Sequence, residues 1–348
     1  MRLNHFDQGT RRGHWRFACV LVLMFILTPA SQLFAQNADL EKAIDTYQSA
    51  DFDGAIILLA DLAGDETGDI QVRKQALQYL GRAYVAKRME DKARAAMHEL
   101  LELEPPLVEL DPDVESPPLM NLYYEVRREF EGDYTVERAD PGLQTLAIVD
   151  FNNNSITADQ AQLEPLGRGL SSLMISFFSG STDLKVVERE RLQWLLSELD
   201  LQQDRDRVDQ ETAVRAGKLL GATAVLLGDF MKMDRRSMVI NVRLVKVETG
   251  EVLMTEQARG RPDRFFEMAE ELSLKISQGI NAHLEKTNLG ARDDTKSLDA
   301  MLSYSEGLAL LEEKDYRAAY EKFLEALDYD PSYKRAQLKA ESIKPLLT

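Results

Sequence analysis

Apolar positions recur at helical spacing toward both ends of the chain and at strand spacing through its middle. Near the N-terminus, Tyr47, Phe52 and Ala55 lead into an apolar helix from Ile56 to Leu62. Leu80, Gly81, Tyr84, Ala93, Leu100 and Pro105 then mark a second helical hairpin. Near the C-terminus, Gly307, Tyr316, Ala319, Phe323, Ala326 and Pro331 mark a third, and residues 334–344 form a capping helix. In the second hairpin the small residues Gly81 and Ala93 let two antiparallel helices approach, the large ones fill the space beside them, and Pro105 ends the second helix.

Between the hairpins the period changes. Leu146 to Phe151 is apolar except for Asp150, the mark of a buried central strand. Leu163, Leu166, Leu170, Leu173, Met174 and Phe177 make one helical stripe, and Leu192, Leu195, Leu196 and Leu199 make another. Lys185 to Val187 is a short strand between them. Asp209 caps a helix that runs to Leu220 and stops at Gly221. Ala222–Met233, Met238–Val247 and Val252–Ala258 are strands, the last two joined by a Glu-Thr-Gly-Glu turn, and Phe265–Leu284 is a final amphipathic helix. This order predicts a mixed sheet with helices on at least one face.

The spacing of the hairpins resembles that of tetratricopeptide (TPR) repeats. The predicted architecture is therefore multidomain, with all-α TPR-like hairpins flanking a central α/β domain. The boundaries are a leader at 1–35, hairpins at 36–105, a connector at 106–142, the α/β domain at 143–286, a linker at 287–297 and a C-terminal hairpin with its cap at 298–348. Residues 99–126 carry eight acids, no Lys or Arg, and five prolines. They read as a solvated, extended connector leading to a short helix from Met120 to Phe130. Asp111, Asp113 and Glu115 lack the glycine and spacing of a calcium loop.

Arg2, Arg11, Arg12 and Arg16 precede an apolar run from Phe17 to Leu27, and Leu33-Phe34-Ala35 follows. That is the layout of an export signal, and the run is shorter than the ~20 residues that span a bilayer. Retention of the segment as an anchor is the competing reading. Lipidation is not expected, because Cys19 opens the apolar run instead of following it. The predicted location is periplasmic, peripheral to the outer membrane at most, with no integral span after cleavage.

Composition narrows the chemistry. The chain of 348 residues has a net charge of −17, and about −20 without its leader, which disfavours nucleic acid. Cys19 is the only cysteine, and His98 and His283 are the only histidines beyond the leader. No catalytic residue, cofactor or metal ligand set is assigned, and no enzymatic activity is expected. Gly167-Arg168-Gly169 lies within a helical stripe and reads as packing. Glu188, Arg189 and Arg191 belong to a charged run that reads first as a solvated helix start and second as a partner site. Trp194 lies off the leucine stripe and is either an interface anchor or packed beneath a neighbour. Tyr84 and Tyr316, on the hairpins, complete the protein-interaction candidates. Asp150 reads as a structural hydrogen-bond acceptor at a strand end.

Leu146-Ala-Ile-Val-Asp-Phe-Asn-Asn153, Leu166-Gly-Arg-Gly-Leu170, Val186-Val-Glu-Arg-Glu-Arg-Leu192, Ala216–Ala222, Leu227-Gly-Asp229 and Val242–Val252 together resemble the curli assembly/transport (CsgG/HfaB) family. Related envelope proteins, among them TolB-like N-terminal domains, share this architecture. The resemblance implies a soluble core. The hairpins that line the family's membrane channel have no room here, because Asp234–Ser237 and Arg259–Arg264 are too short and too charged. The expected function is a non-enzymatic scaffold in envelope or surface-fibre assembly and secretion, with envelope proteins as partners and self-association open. The alternative is a regulator of an envelope enzyme such as a peptidoglycan synthase.

Overall fold

The computed structural model describes residues 28–103, 109–132, 144–179, 184–198, 209–280 and 294–347. Residues 1–27 of the leader, Pro105, Leu199 and His283 lie outside these residues, whereas Leu33-Phe34-Ala35 falls within the helix that begins at Thr28. The chain divides into two units, residues 1–84 and 85–348.

The first unit is helical. Helix α1 (Thr28–Gln48) and helix α2 (Phe52–Gly64) form a hairpin, and helix α3 begins at Ile70 and runs to Ala86. Asp51 caps α2 by accepting the Gly54 amide at 3.0 Å. Ala55, Leu59 and Ala63 fall at i, i+4 and i+8 on its buried face. Tyr47 meets the rings of Phe52 and Tyr79 at 5.5 and 5.4 Å.

The second unit opens with helix α4 (Glu90–Glu102). Helix α5 (Pro117–Glu131) starts on two prolines, whose missing amides are unneeded at a helix start, and ends on left-handed Gly132. It is longer at both ends than the Met120–Phe130 reading. The connector before it is not solvated throughout. Leu110, Glu115 and Ser116 are buried, and Asp113 is ion-paired to the C-terminal helices.

Six strands form one mixed sheet in the order β3-β1-β4-β5-β6, with β2 paired to β4. They are β1 (Gln144–Ile148), β2 (Asn152–Asn153), β3 (Leu184–Val186), β4 (Ala224–Asp234), β5 (Ser237–Lys246) and β6 (Val252–Gly260). The β3-β1-β4 part is parallel and β4-β5-β6 is an antiparallel meander. Between the strands lie short α6 (Gln160–Leu163), α7 (Leu166–Ser179), α8 (Arg189–Glu198) and α9 (Gln210–Leu219), and α10 (Phe265–Gly279) follows β6. Asp209 caps α9 through the Thr212 amide, and Gly221 (φ 69°) lets the chain leave it.

One sheet face carries Leu146, Ile148, Leu226, Phe230, Ile240, Val242 and Leu244 against α7 and α10. Gly167 and Gly169 let α7 come close. A Cβ at Gly167 would overlap the backbone carbonyl of Phe151, and one at Gly169 would overlap Ser305 and Met301. On the other face, Gly217 of α9 rests on Val225 and Val247.

The C-terminal helices are α11 (Leu298–Glu312), α12 (Tyr316–Tyr329) and α13 (Lys334–Ile343). Gly307 faces the Phe323 ring with no room for a Cβ, as the sequence pattern implies. The division of 143–286 from 298–348 is corrected here. Met301, Tyr304, Leu308, Phe323, Tyr333 and Ile343 share one continuous core with the sheet, because α11 packs on α7. The helical parts thus flank an α/β sheet. Three turns share one backbone geometry, with a left-handed residue, Ala50, Arg88 or Lys314, two positions after the preceding helix ends.

Candidate functional site

The run Glu188–Arg191 starts α8 at the carboxyl end of β3, where the chain passes β1, α5 and the C-terminal helices. Each of its four residues reaches a different partner.

Glu188 accepts the Tyr124 hydroxyl at 2.8 Å, which ties α8 to α5. Burial pushes its carboxyl up to about 7, with the charge of Glu190 adding to the rise and Tyr124 and Arg191 opposing it. Arg189, with a side chain 6% exposed, donates to both oxygens of Asp150 at 2.9 and 2.7 Å and also pairs with Glu312. Asp150 further accepts from Ser171 at 2.5 Å and Gln193 at 3.2 Å. Burial would raise the Asp150 pKa, but the Arg189 charge, the hydrogen bonds from Arg189 and Ser171 and the charge of Arg168 together hold the carboxyl down. Glu312 also takes Arg168 Nε at 3.1 Å.

Glu190 takes Lys339 Nζ at 2.7 Å, and Lys339 also lies 3.3 Å from Asp113. Lys339 is 2% exposed. Arg335 Nε is 3.1 Å from Asp113 and its Nη1 donates to the Ser172 carbonyl at 3.0 Å. Burial would raise Asp113, yet Arg335 and Lys339 bring it to about 2. Burial raises the pKa of Asp294, which lies 3.4 Å from Arg335. Arg191 is 3.7 Å from Glu131 and lies over the Tyr124 ring at 5.8 Å. Burial, then the charge of Arg127, pushes its pKa down.

The charged run is therefore no solvated helix start. Arg189 and Arg191 are buried because carboxylates from distant segments meet them. Buried charges need such partners, since an unpaired one costs several kcal/mol. The arrangement links strand end, connector and C-terminal cap by charge. Among the described residues, no group of His, Cys, Asp and Glu has the arrangement of a metal site.

Trp194 is buried at 7% exposure, 5.6 Å from the Tyr124 ring with Arg128 beside it. Of the two readings of this residue, packing beneath a neighbouring element is the one observed. Tyr84 is half-buried in α3. Tyr316 is half-buried against the C-terminal core, with its hydroxyl pushed up by burial.

Sequence reading missed Asp113, Glu312, Arg335 and Lys339. One signal existed. Lys339 occupies a slot of the apolar stripe Ala336, Ala340 and Ile343, where a lysine demands a buried acid.

The fold and hub define a mixed α/β sheet keyed by buried ion pairs to helices on both sides in sequence. Residues 136–238 match the family described as curli production assembly/transport component CsgG. No curated protein matches the chain. Among solved structures, the LpoB C-terminal domain from Salmonella enterica is 19% identical, over 35% of this chain and 86% of that one, with a TM-score of 0.26. TolB from Acinetobacter baumannii is 16% identical over 40% of this chain and 28% of that one, TM-score 0.27. The PelC dodecamer from Paraburkholderia phytofirmans is 17% identical over 43% and 96%, TM-score 0.25. Among the described residues, no helix is long and apolar enough to cross a membrane.

Proposed function

We propose that this chain is a non-enzymatic scaffold of the cell envelope that holds protein partners during envelope or surface-fibre assembly and secretion. The observation that carries the reading is the match of residues 136–238 to the CsgG family. Two features support the soluble, scaffold form of it. The β4–β5 connection is a tight turn with Asp234 opposite Ser237, so the sheet continues directly where an inserted hairpin would lengthen it. The charged residues of the central helix start are committed internally. Partner capture then falls to the TPR-like hairpins, where α12 exposes Leu324 and Tyr329.

The test is in-cell photo-crosslinking of the full chain from positions 324 and 329, with fractionation of the producing cells. The reading expects the protein in the envelope fraction, crosslinked to assembly or secretion components. A cytoplasmic location would overturn it. A crosslink to a peptidoglycan synthase would replace it with the regulator reading.

A further inference from the structure

The end of the β4-β5-β6 meander is strongly basic in a strongly acidic chain. Residues 232–237 and 259–264 hold six basic residues and two acids, while the whole chain is −17. The pairing register brings the two stretches together. Asp234 lies opposite Ser237, and Met238 lies opposite Gly260. Arg235 and Arg236 sit in the turn, Arg259 stands opposite Val239, and Arg261 and Arg264 follow the end of β6. All five arginines are exposed. Arg261 pairs with Asp263 at 2.6 Å, and Lys232 pairs with Asp159. Arg235, Arg236, Arg259 and Arg264 have no carboxylate partner among the described residues.

A second feature adjoins them. Residues 154–156 continue beside β4, with the Ile156 amide donating to the Lys232 carbonyl at 3.1 Å. Ile156 is 71% exposed, among the most exposed large apolar side chains described. The tip is a turn end and not a groove, so it offers no cleft for a peptide. Exposed arginines around one protruding apolar side chain fit a flat anionic surface with a shallow apolar layer behind it.

We infer that this tip docks on an anionic phospholipid surface, with Arg235, Arg236, Arg259 and Arg264 on the headgroups and Ile156 at the acyl boundary. The chain's overall negative charge does not prevent this, because charges beyond about 8 Å are largely screened at physiological salt. The inference stands on charge and exposure and does not depend on the scaffold reading. Each arginine that reaches an anionic bilayer adds roughly fivefold to partitioning.

The test is co-sedimentation of the full chain with vesicles of phosphatidylcholine alone or mixed with phosphatidylglycerol. Wild type is compared with the triple variant R235E/R236E/R259E and with I156S. Matching thermal melts confirm that the variants fold, as substitutions at exposed positions allow. The expected result is a preference for phosphatidylglycerol that weakens with salt and falls roughly a hundredfold in the triple variant. I156S lowers binding at low and high salt alike. The same anionic preference in the triple variant as in wild type would overturn the inference, and so would equal binding to both vesicles. A change of oligomeric mass in the triple variant, without change in vesicle binding, would assign the tip to an acidic face of a second copy instead.

Discussion

Arg189 grips Asp150 with two nitrogens, Nε at 2.9 Å from one carboxylate oxygen and Nη2 at 2.7 Å from the other. The pair joins the end of the central strand to the start of α8, and the same guanidinium continues to Glu312 at the end of α11. One buried cation therefore fixes three segments that are far apart in sequence. Two-pronged geometry of this kind also sets orientation, which a lysine could not do.

Replacing Arg189 by Met leaves Asp150 buried without its counter-charge. Removing one partner of such a pair costs about 3–5 kcal/mol. Urea unfolding of R189M should show that loss, and D150N/R189M should recover part of it, because the orphaned carboxylate is gone. A loss under about 1 kcal/mol in R189M would mean that the pair adds nothing beyond surface pairing.

The two α7 glycines should respond differently to alanine. A methyl at Gly167 meets the backbone carbonyl of Phe151, which cannot rotate away. A methyl at Gly169 meets the Met301 side chain and the Ser305 hydroxyl, and both can turn. G167A is expected to destabilise by about 1–3 kcal/mol or more and G169A by less. Equal midpoints in denaturant melts would contradict the close approach of α7 to β1's end.

Much of the α/β sheet was legible because its signals are local. Alternation along Met238–Val247 and the turn at Gly250 (φ 73°) define a hairpin without reference to anything distant. Asp209 and Gly221 bracket α9 in the same way. The hub was not legible because its pairs span the chain: Arg189 meets Glu312 across 123 positions and Lys339 meets Glu190 across 149. An apolar stripe says that a face is buried and leaves open what lies against it, so the docking of α11 on α7 was invisible. Trp194 lies off the leucine stripe, which left an interface anchor and a packed residue equally open. Helix α8 is in fact buried on a second side, by α5.

That shared core makes the C-terminal helices part of the sheet domain. A chain lacking residues 294–348 exposes the α7 surface that Met301 and Ser305 cover, and it strands Arg189 and Glu190 without Glu312 and Lys339. The expected product binds a hydrophobic dye and unfolds without a cooperative transition. Cooperative unfolding at the wild-type midpoint would instead restore the separate-domain description.

Glu188 and Asp113 make opposite predictions for pH. Asp113 is depressed from 3.8 to about 2, so its contribution is complete above about pH 4 and is lost as pH falls toward 2. Glu188 is raised from 4.5 to about 7. Between those values the folded protein holds a proton that the unfolded chain has released, so stability falls as pH rises through that window. At about 1.4 kcal/mol for each tenfold change in proton affinity, the upper bound is about 3.5 kcal/mol. Burial raises Asp111 and Asp294 as well, so the wild-type slope is shared. Glu188→Gln isolates one share, because the amide oxygen still accepts from Tyr124. Unfolding free energies measured from pH 4 to 8 should show E188Q with a flatter slope and greater stability than wild type above pH 7. Parallel curves for the two proteins would mean that Glu188 carries its charge in the folded state throughout, and that Tyr124 and Arg191 outweigh its burial.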